Sequence, residues 1–237
     1  MTLLETFRRY EELIKALLPP TAVAGREPME EASERAVYAP LRTYRQLIDF
    51  KTRYETMSRE EFGQRDEELR TVCEQIENSS VFNSLDPVAA WSALALHVGG
   101  NIFIRDGWTD LASETFGRLA RGQDESGRLL PVTSATHPEA GWYDELATLH
   151  AAASYAVQSE DRHVARAVAG SSSFIQREIE PDHATAQPWA LFAFIWNEQT
   201  RPLADQVLHA VELRKNELDA ASLILLEDAL YCLQLFY

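Results

Sequence analysis

The sequence predicts an all-α protein. Apolar residues recur at spacings of three and four through most of the chain. Ser, Thr and Asp stand where helices open, and Pro or Gly where they close. No run alternates apolar and polar residues for long enough to read as a strand.

The elements follow in order. Leu3, Leu4, Phe7, Tyr10, Leu13, Ile14, Leu17 and Leu18 mark a first helix, stopped by Pro19-Pro20. Helical spacing resumes from Met29 to Met57, with a kink expected at Pro40. Ser58, with Glu61 three residues on, reads as a capping box that opens a helix to about Glu77. Asn78-Ser79-Ser80 is a loop, and the character changes after it. Asp86-Pro87 combines an N-cap with proline at the first helical position. Helices are then expected near 87–105, 109–121, 141–158, 161–179, 184–198, 202–215 and 219–236, the last capped by Asp219. The chain thus divides into an N-terminal helical extension, 1–80, and a hairpin-repeat domain, 81–237.

The repeat is visible in the residues. Ala95-Leu96-His97-Val98 is answered by Thr148-Leu149-His150-Ala151, 53 positions later. Each is followed by apolar residues, a short acidic turn, an amphipathic helix and a proline-containing polar loop. A third unit starts at Trp189, and a half unit from Ala220 to Phe236 ends the array. One helix of each pair is apolar nearly all round and the other on one side. The first must be covered everywhere and the second can face water. Apolar helices inside and amphipathic helices outside satisfy both.

Residues 86–237 resemble the α/α-toroid superfamily, which includes terpenoid cyclases, protein prenyltransferase β subunits, and several polysaccharide lyases and glycosidases. The loop Gln123-Asp124-Glu125-Ser126-Gly127-Arg128 is similar to the Gln-x-x-Asp-Gly loop that ends an outer helix in terpenoid cyclases, with Ser126 in place of the aspartate. The resemblance implies hairpins in an incomplete ring or curved stack, with the helices of 1–80 over one side. It carries over no catalytic residue. The chain has neither Asp-x-Asp-Asp nor Asp-Asp-x-x-Asp, and no Asp/Cys/His zinc set at prenyltransferase spacing.

Composition narrows the partners. The net charge is −15, from 22 basic and 37 acidic residues. Residues 1–80 carry 12 basic and 16 acidic groups, and residues 81–237 carry 10 and 21. Such a surface repels phosphate backbones and anionic membranes, so neither nucleic acid nor membrane is expected as partner. Cys73 and Cys232 lie far apart in helical patterns and read as buried free thiols, which suits a reducing cytoplasm. Met1 to Leu18 contains six charged residues and lacks the apolar core of a signal peptide. The longest apolar stretches fall well short of the roughly 20 residues of a membrane span.

Candidate site residues cluster in two places. On the helix that begins near Trp142, Tyr143, Ala147, His150 and Ser154 share one face, because each residue advances about 100°. The other sides carry Leu and Ala, so this polar stripe needs partners, water or a ligand. The preceding hairpin repeats the theme with His97 and Asn101. Asp144 or Glu145, at the helix start, could act as acid or base, or could only favour the helix dipole. The second place is the loop from Pro181 to Trp189, with His183 between two prolines. A pocket lined by His97, Asn101, Tyr143, Asp144, His150, Ser154, His183 and Trp189 is the functional reading; internal hydrogen bonding within the core is the other. No His-x-x-x-His, Cys-x-x-Cys, phosphate loop or Gly-x-Ser-x-Gly elbow occurs, so no metal or cofactor is expected.

Two function classes stand. One is a binding or scaffold protein that holds a protein partner on its hairpins. The other is a toroid enzyme, a lyase or hydrolase, that takes a carbohydrate or other small molecule into a central cavity. The missing catalytic motif favours the first.

Overall fold

The computed structural model describes residues 2–19, 32–131, 138–178 and 187–237. These contain ten α-helices and no strand. They are α1 (Leu3–Leu17), α2 (Ala32–Arg53), α3 (Arg59–Glu77), α4 (Pro87–Phe103), α5 (Asp106–Gly122), α6 (Pro138–Ser159), α7 (Arg162–Glu178), α8 (Leu191–Trp196), α9 (Arg201–Leu213) and α10 (Ala220–Gln234).

The capping signals act where the sequence places them, with one addition. Ser58 accepts the Glu61 N–H at 3.2 Å, Asp86 that of Ala89 at 2.8 Å, and Asp219 that of Ser222 at 2.7 Å. At Ser58 this is one half of the expected capping box, and the reciprocal box with both bonds stands at Thr2 and Glu5. Pro40 lies inside α2 and is buried. The α4–α5 and α6–α7 turns each pivot on a left-handed residue, Ile104 at φ 54° and Glu160 at φ 57°.

One helix is shorter than its sequence pattern. In place of 184–198, the described residues form a helix only from Leu191 to Trp196, followed by a 3-10 turn at Glu198–Thr200. Residues 184–186 lie outside the described set. Pro188 has no N–H to give a helix. Ala190 then takes a left-handed conformation, φ 59°, and sends its N–H to the ring of His150 at 2.9 Å. A helix running through this point would lose that bond.

Inner and outer helices alternate along the chain. Nearly every residue of α4 from Ala89 to Gly100 is buried. On α5 only one side is buried, through Trp108, Ala112, Thr115, Phe116, Leu119 and Ala120. Helices α7 and α9 bury single faces in the same manner. The hairpins stack in a curve. Helix α2 packs on α4, α4 on α6, α6 on α8 and α8 on α10, and contacts return from α10 to α2. Helix α2 lies between α4 and α10 and shares their core. Helix α3 lies against α2 and α4, α5 against α4 and α7, and α1 against α9 and α10.

Gly100 permits the tight α4–α5 turn. A Cβ there would stand 2.7 Å from Thr109 Cγ2 and 3.0 Å from the Arg105 carbonyl oxygen. Among the described residues no helix is long and apolar enough to cross a membrane.

Candidate functional site

Three of the five inner helices, α2, α6 and α10, meet at one buried carboxylate, and α4 and the residue before α8 reach the histidine beside it. Asp228, on α10, is fully enclosed by side chains of the helices around it. Tyr44, from α2, donates its hydroxyl to Asp228 Oδ1 at 2.5 Å. From α6, His150 Nε2 lies 2.9 Å from Asp228 Oδ2, and Ser154 donates its hydroxyl to the same oxygen. Cys232 Sγ, one turn along α10, is 3.9 Å from Oδ1. Gln158 donates to the Tyr44 hydroxyl at 2.9 Å. Trp91, from α4, sits over the His150 ring at 5.5 Å and donates its indole N–H to the Ala147 carbonyl at 3.1 Å.

The tautomer of His150 follows from its neighbours. Nδ1 accepts the Ala190 N–H, so it holds no proton. The proton sits on Nε2 and points at Asp228. The imidazole is therefore a neutral bridge between the backbone ahead of α8 and the carboxylate of α10.

Ser154 donates to Asp228 and not to His150, so the serine and histidine do not form a nucleophile–imidazole pair. Burial, then the charge of Asp228, pushes the Cys232 thiol well above its ordinary value, which keeps it from being a thiolate. Burial and the same carboxylate push the Tyr44 phenol well above its usual range. A carboxylate has about four lone-pair positions. Here they meet two hydroxyls, an imidazole N–H and a thiol, and the group is satisfied from within.

The residues named from sequence fall into separate surroundings. Tyr143, His150, Ser154 and Trp189 come together: Trp189 meets Tyr143 edge-on at 5.6 Å and His150 at 6.1 Å. Asp144 is half-buried beside them on α6. His97 is elsewhere. It packs edge-on against Tyr155 at 5.0 Å, and Asn101, exposed, donates to the His97 carbonyl at 2.9 Å. His183 lies outside the described residues. Trp189 Nε1 is buried without a hydrogen-bond partner among the described residues. Tyr44, Asp228, Cys232 and Gln158 are members that the sequence pattern does not single out. Asp228 carries a signal all the same: it is an acid on the same helical face as Leu225, Ala229 and Cys232.

Glu145 serves structure. It is fully buried, and its carboxylate accepts the N–H groups of Leu129 at 2.5 Å and Leu130 at 3.1 Å, with the Ser171 hydroxyl at 3.2 Å. Burial raises its carboxyl above the ordinary value, against the lowering pull of those donors. The carboxylate thus pins the end of the Gln123–Leu130 loop to α6. At the other end Gln123 donates to the carbonyls of Gly127 and Ala167 at 2.9 and 2.7 Å. Gly127, at φ 102°, passes so close to α7 that a Cβ would lie 2.6 Å from the Gly170 carbonyl oxygen.

Among the described residues no group of three or more His, Cys, Asp or Glu side chains could hold a metal ion. Comparisons with protein-family models, curated proteins and solved structures gave no match.

His97 gives the fold a pH dependence. Burial, with Lys51 nearby, holds it down to about 4. An unfolded histidine titrates near 6.5, at about its ordinary value. Between those values the unfolded chain binds the extra proton, so stability falls as pH drops from 6.5 toward 4. Glu145, shifted upward, works in the opposite direction, so the His97 contribution is read by difference. His97→Phe keeps the ring against Tyr155 and removes the titration. Calorimetry at pH 7 and pH 5 should show a smaller acid-induced drop in Tm for the variant than for the wild type.

Proposed function

We propose that this chain is a binding or scaffold protein built as an α/α toroid, recognising a protein partner on its outer surface. The observation that carries this reading is the satisfied carboxylate at the centre. Asp228 takes up Tyr44, His150 and Ser154, the side chains a reaction at that point would need. The return of helix contacts from α10 to α2 supports the toroid, as does the Gln123–Arg128 loop that ends outer helix α5 and packs on outer helix α7.

A receptive surface lies between α7 and α8. Ala165, Val168, Ala169, Ala193 and Trp196 line a groove of about 350 Å³, with Arg166 and Glu198 among its polar residues. An apolar lining with charges of both signs suits an amphipathic helix that inserts an apolar side chain. Ala169 is exposed, so Ala169→Arg blocks the groove without disturbing the core.

A thermal-shift screen of amphipathic peptides, metabolites and glycans tests the reading. Any binder should lose its effect on the Ala169→Arg variant and keep it on Ser154→Ala. A metabolite or glycan that stabilises the wild type and Ala169→Arg, but not Ser154→Ala, would replace this reading with the enzyme-like cavity.

A further inference from the structure

The outward face of α1 carries charges in a palindromic order. Glu5, Arg8, Glu12 and Lys15 are all exposed. About Tyr10 as centre, Glu5 is matched by Lys15 and Arg8 by Glu12, opposite signs in each case, and the four share one helical face. A second copy of α1, running antiparallel across a twofold axis at Tyr10, sets each of these positions against its opposite. A twofold contact requires a surface complementary to itself, and this pattern supplies it.

Exposed apolar residues extend the match. Leu3 and Leu4 are half-exposed at the start of α1. Leu213 is 75% exposed at the end of α9, near the last turn of α1, where Lys215 donates to the Ala16 carbonyl. Antiparallel pairing brings the first turn of one α1 toward the last turn of the other, and so Leu3 and Leu4 toward that leucine. Phe236 and Tyr237 are also exposed and flank Phe7 and Arg8, close to the axis.

Charge selects this face from the rest. The molecule carries −15, so most of its surface repels a second copy. Residues 2–19 hold three acidic and three basic groups, and residues 201–217 also hold three of each. The α1–α9 face is therefore locally neutral. Three of the outer groups already make local contacts, Lys15 to Glu11 at 2.6 Å, Glu5 to the Thr2 N–H at 2.7 Å and Arg8 over the Tyr237 ring at 5.6 Å; such surface contacts contribute little and compete weakly with a partner.

We propose that two copies of this chain associate through α1, antiparallel across a twofold axis near Tyr10, with Arg8 of each against Glu12 of the other. This surface is separate from the α7–α8 groove. Sedimentation of the full chain over a wide concentration range tests it. The wild type should reach a dimer. Arg8→Glu and Glu12→Arg each set like charges opposite one another twice, and each should weaken association about tenfold or more. Mixed in equal amounts, the two variants should recover the dimer. One chain then presents acidic side chains at both positions and the other presents basic ones, so both contacts are again of opposite sign. Circular dichroism should match the wild type in both, since the substitutions are on the surface. A wild type that stays monomeric at the highest concentration overturns the proposal. So does a dimer indifferent to both reversals, or a mixture that fails to recover it.

Discussion

His150→Leu lowers the stability of the fold by about 3–5 kcal/mol, because it leaves Asp228 buried with one donor fewer. The same change orphans the N–H of the fully buried Ala190. For a chain of this size that corresponds to a fall in Tm of roughly 8–15 °C. Chemical denaturation of wild type and variant measures it. A pocket-lining histidine behaves otherwise: leucine there would leave the fold nearly unchanged and abolish ligand binding. A variant as stable as the wild type would therefore move His150 from the core to a site.

Glu145→Ala is the second large effect. It removes the acceptor for three buried donors, the N–H groups of Leu129 and Leu130 and the hydroxyl of Ser171. At about 1–3 kcal/mol for each unpaired group, partly relieved by water entering the space, the loss should be roughly 3–5 kcal/mol. Glu145→Gln keeps one acceptor oxygen and should lose about half as much. The local signature is hydrogen exchange. The amides of Leu129 and Leu130 should exchange far faster in the alanine variant, while those of α4 stay protected. Unchanged exchange at both amides would show that the loop is held by Gln123 and Gly127 alone.

Local rules made the helices legible. A cap, a proline or a spacing of three and four acts within a few residues, and α1, α4, α6 and α10 lie close to where these signals put them. The exception shows the limit. Helix α8 starts late because the Ala190 N–H is claimed by His150, 40 positions earlier in the chain. No local signal encodes that claim. The polar stripe of α6 was legible as a need for partners, since hydroxyl and imidazole groups on an Ala/Leu helix must bond to something. Its partner was not, because Asp228 is 78 positions away and only the packing of α6 against α10 brings the two together. Glu145 reads in the sequence as an acid at a helix start. Its part in holding a loop needed the loop's own path, which Gly127 and Gln123 direct.

The return of contacts from α10 to α2 bears on how the molecule comes apart. In an open array each repeat touches only its neighbours, so ends fray and segments melt in turn. Here the two ends of the inner series are one another's neighbours, joined by Tyr44 to Asp228 and by Arg45 to Glu227 at 2.5 Å. No inner helix is terminal, and neither α2 nor α6 can detach without leaving the α10 carboxylate short of a donor. Closing contacts over more than 180 positions is slow, since chain entropy is spent before the central bonds form. Once formed, they bind the hairpins into a single cooperative unit.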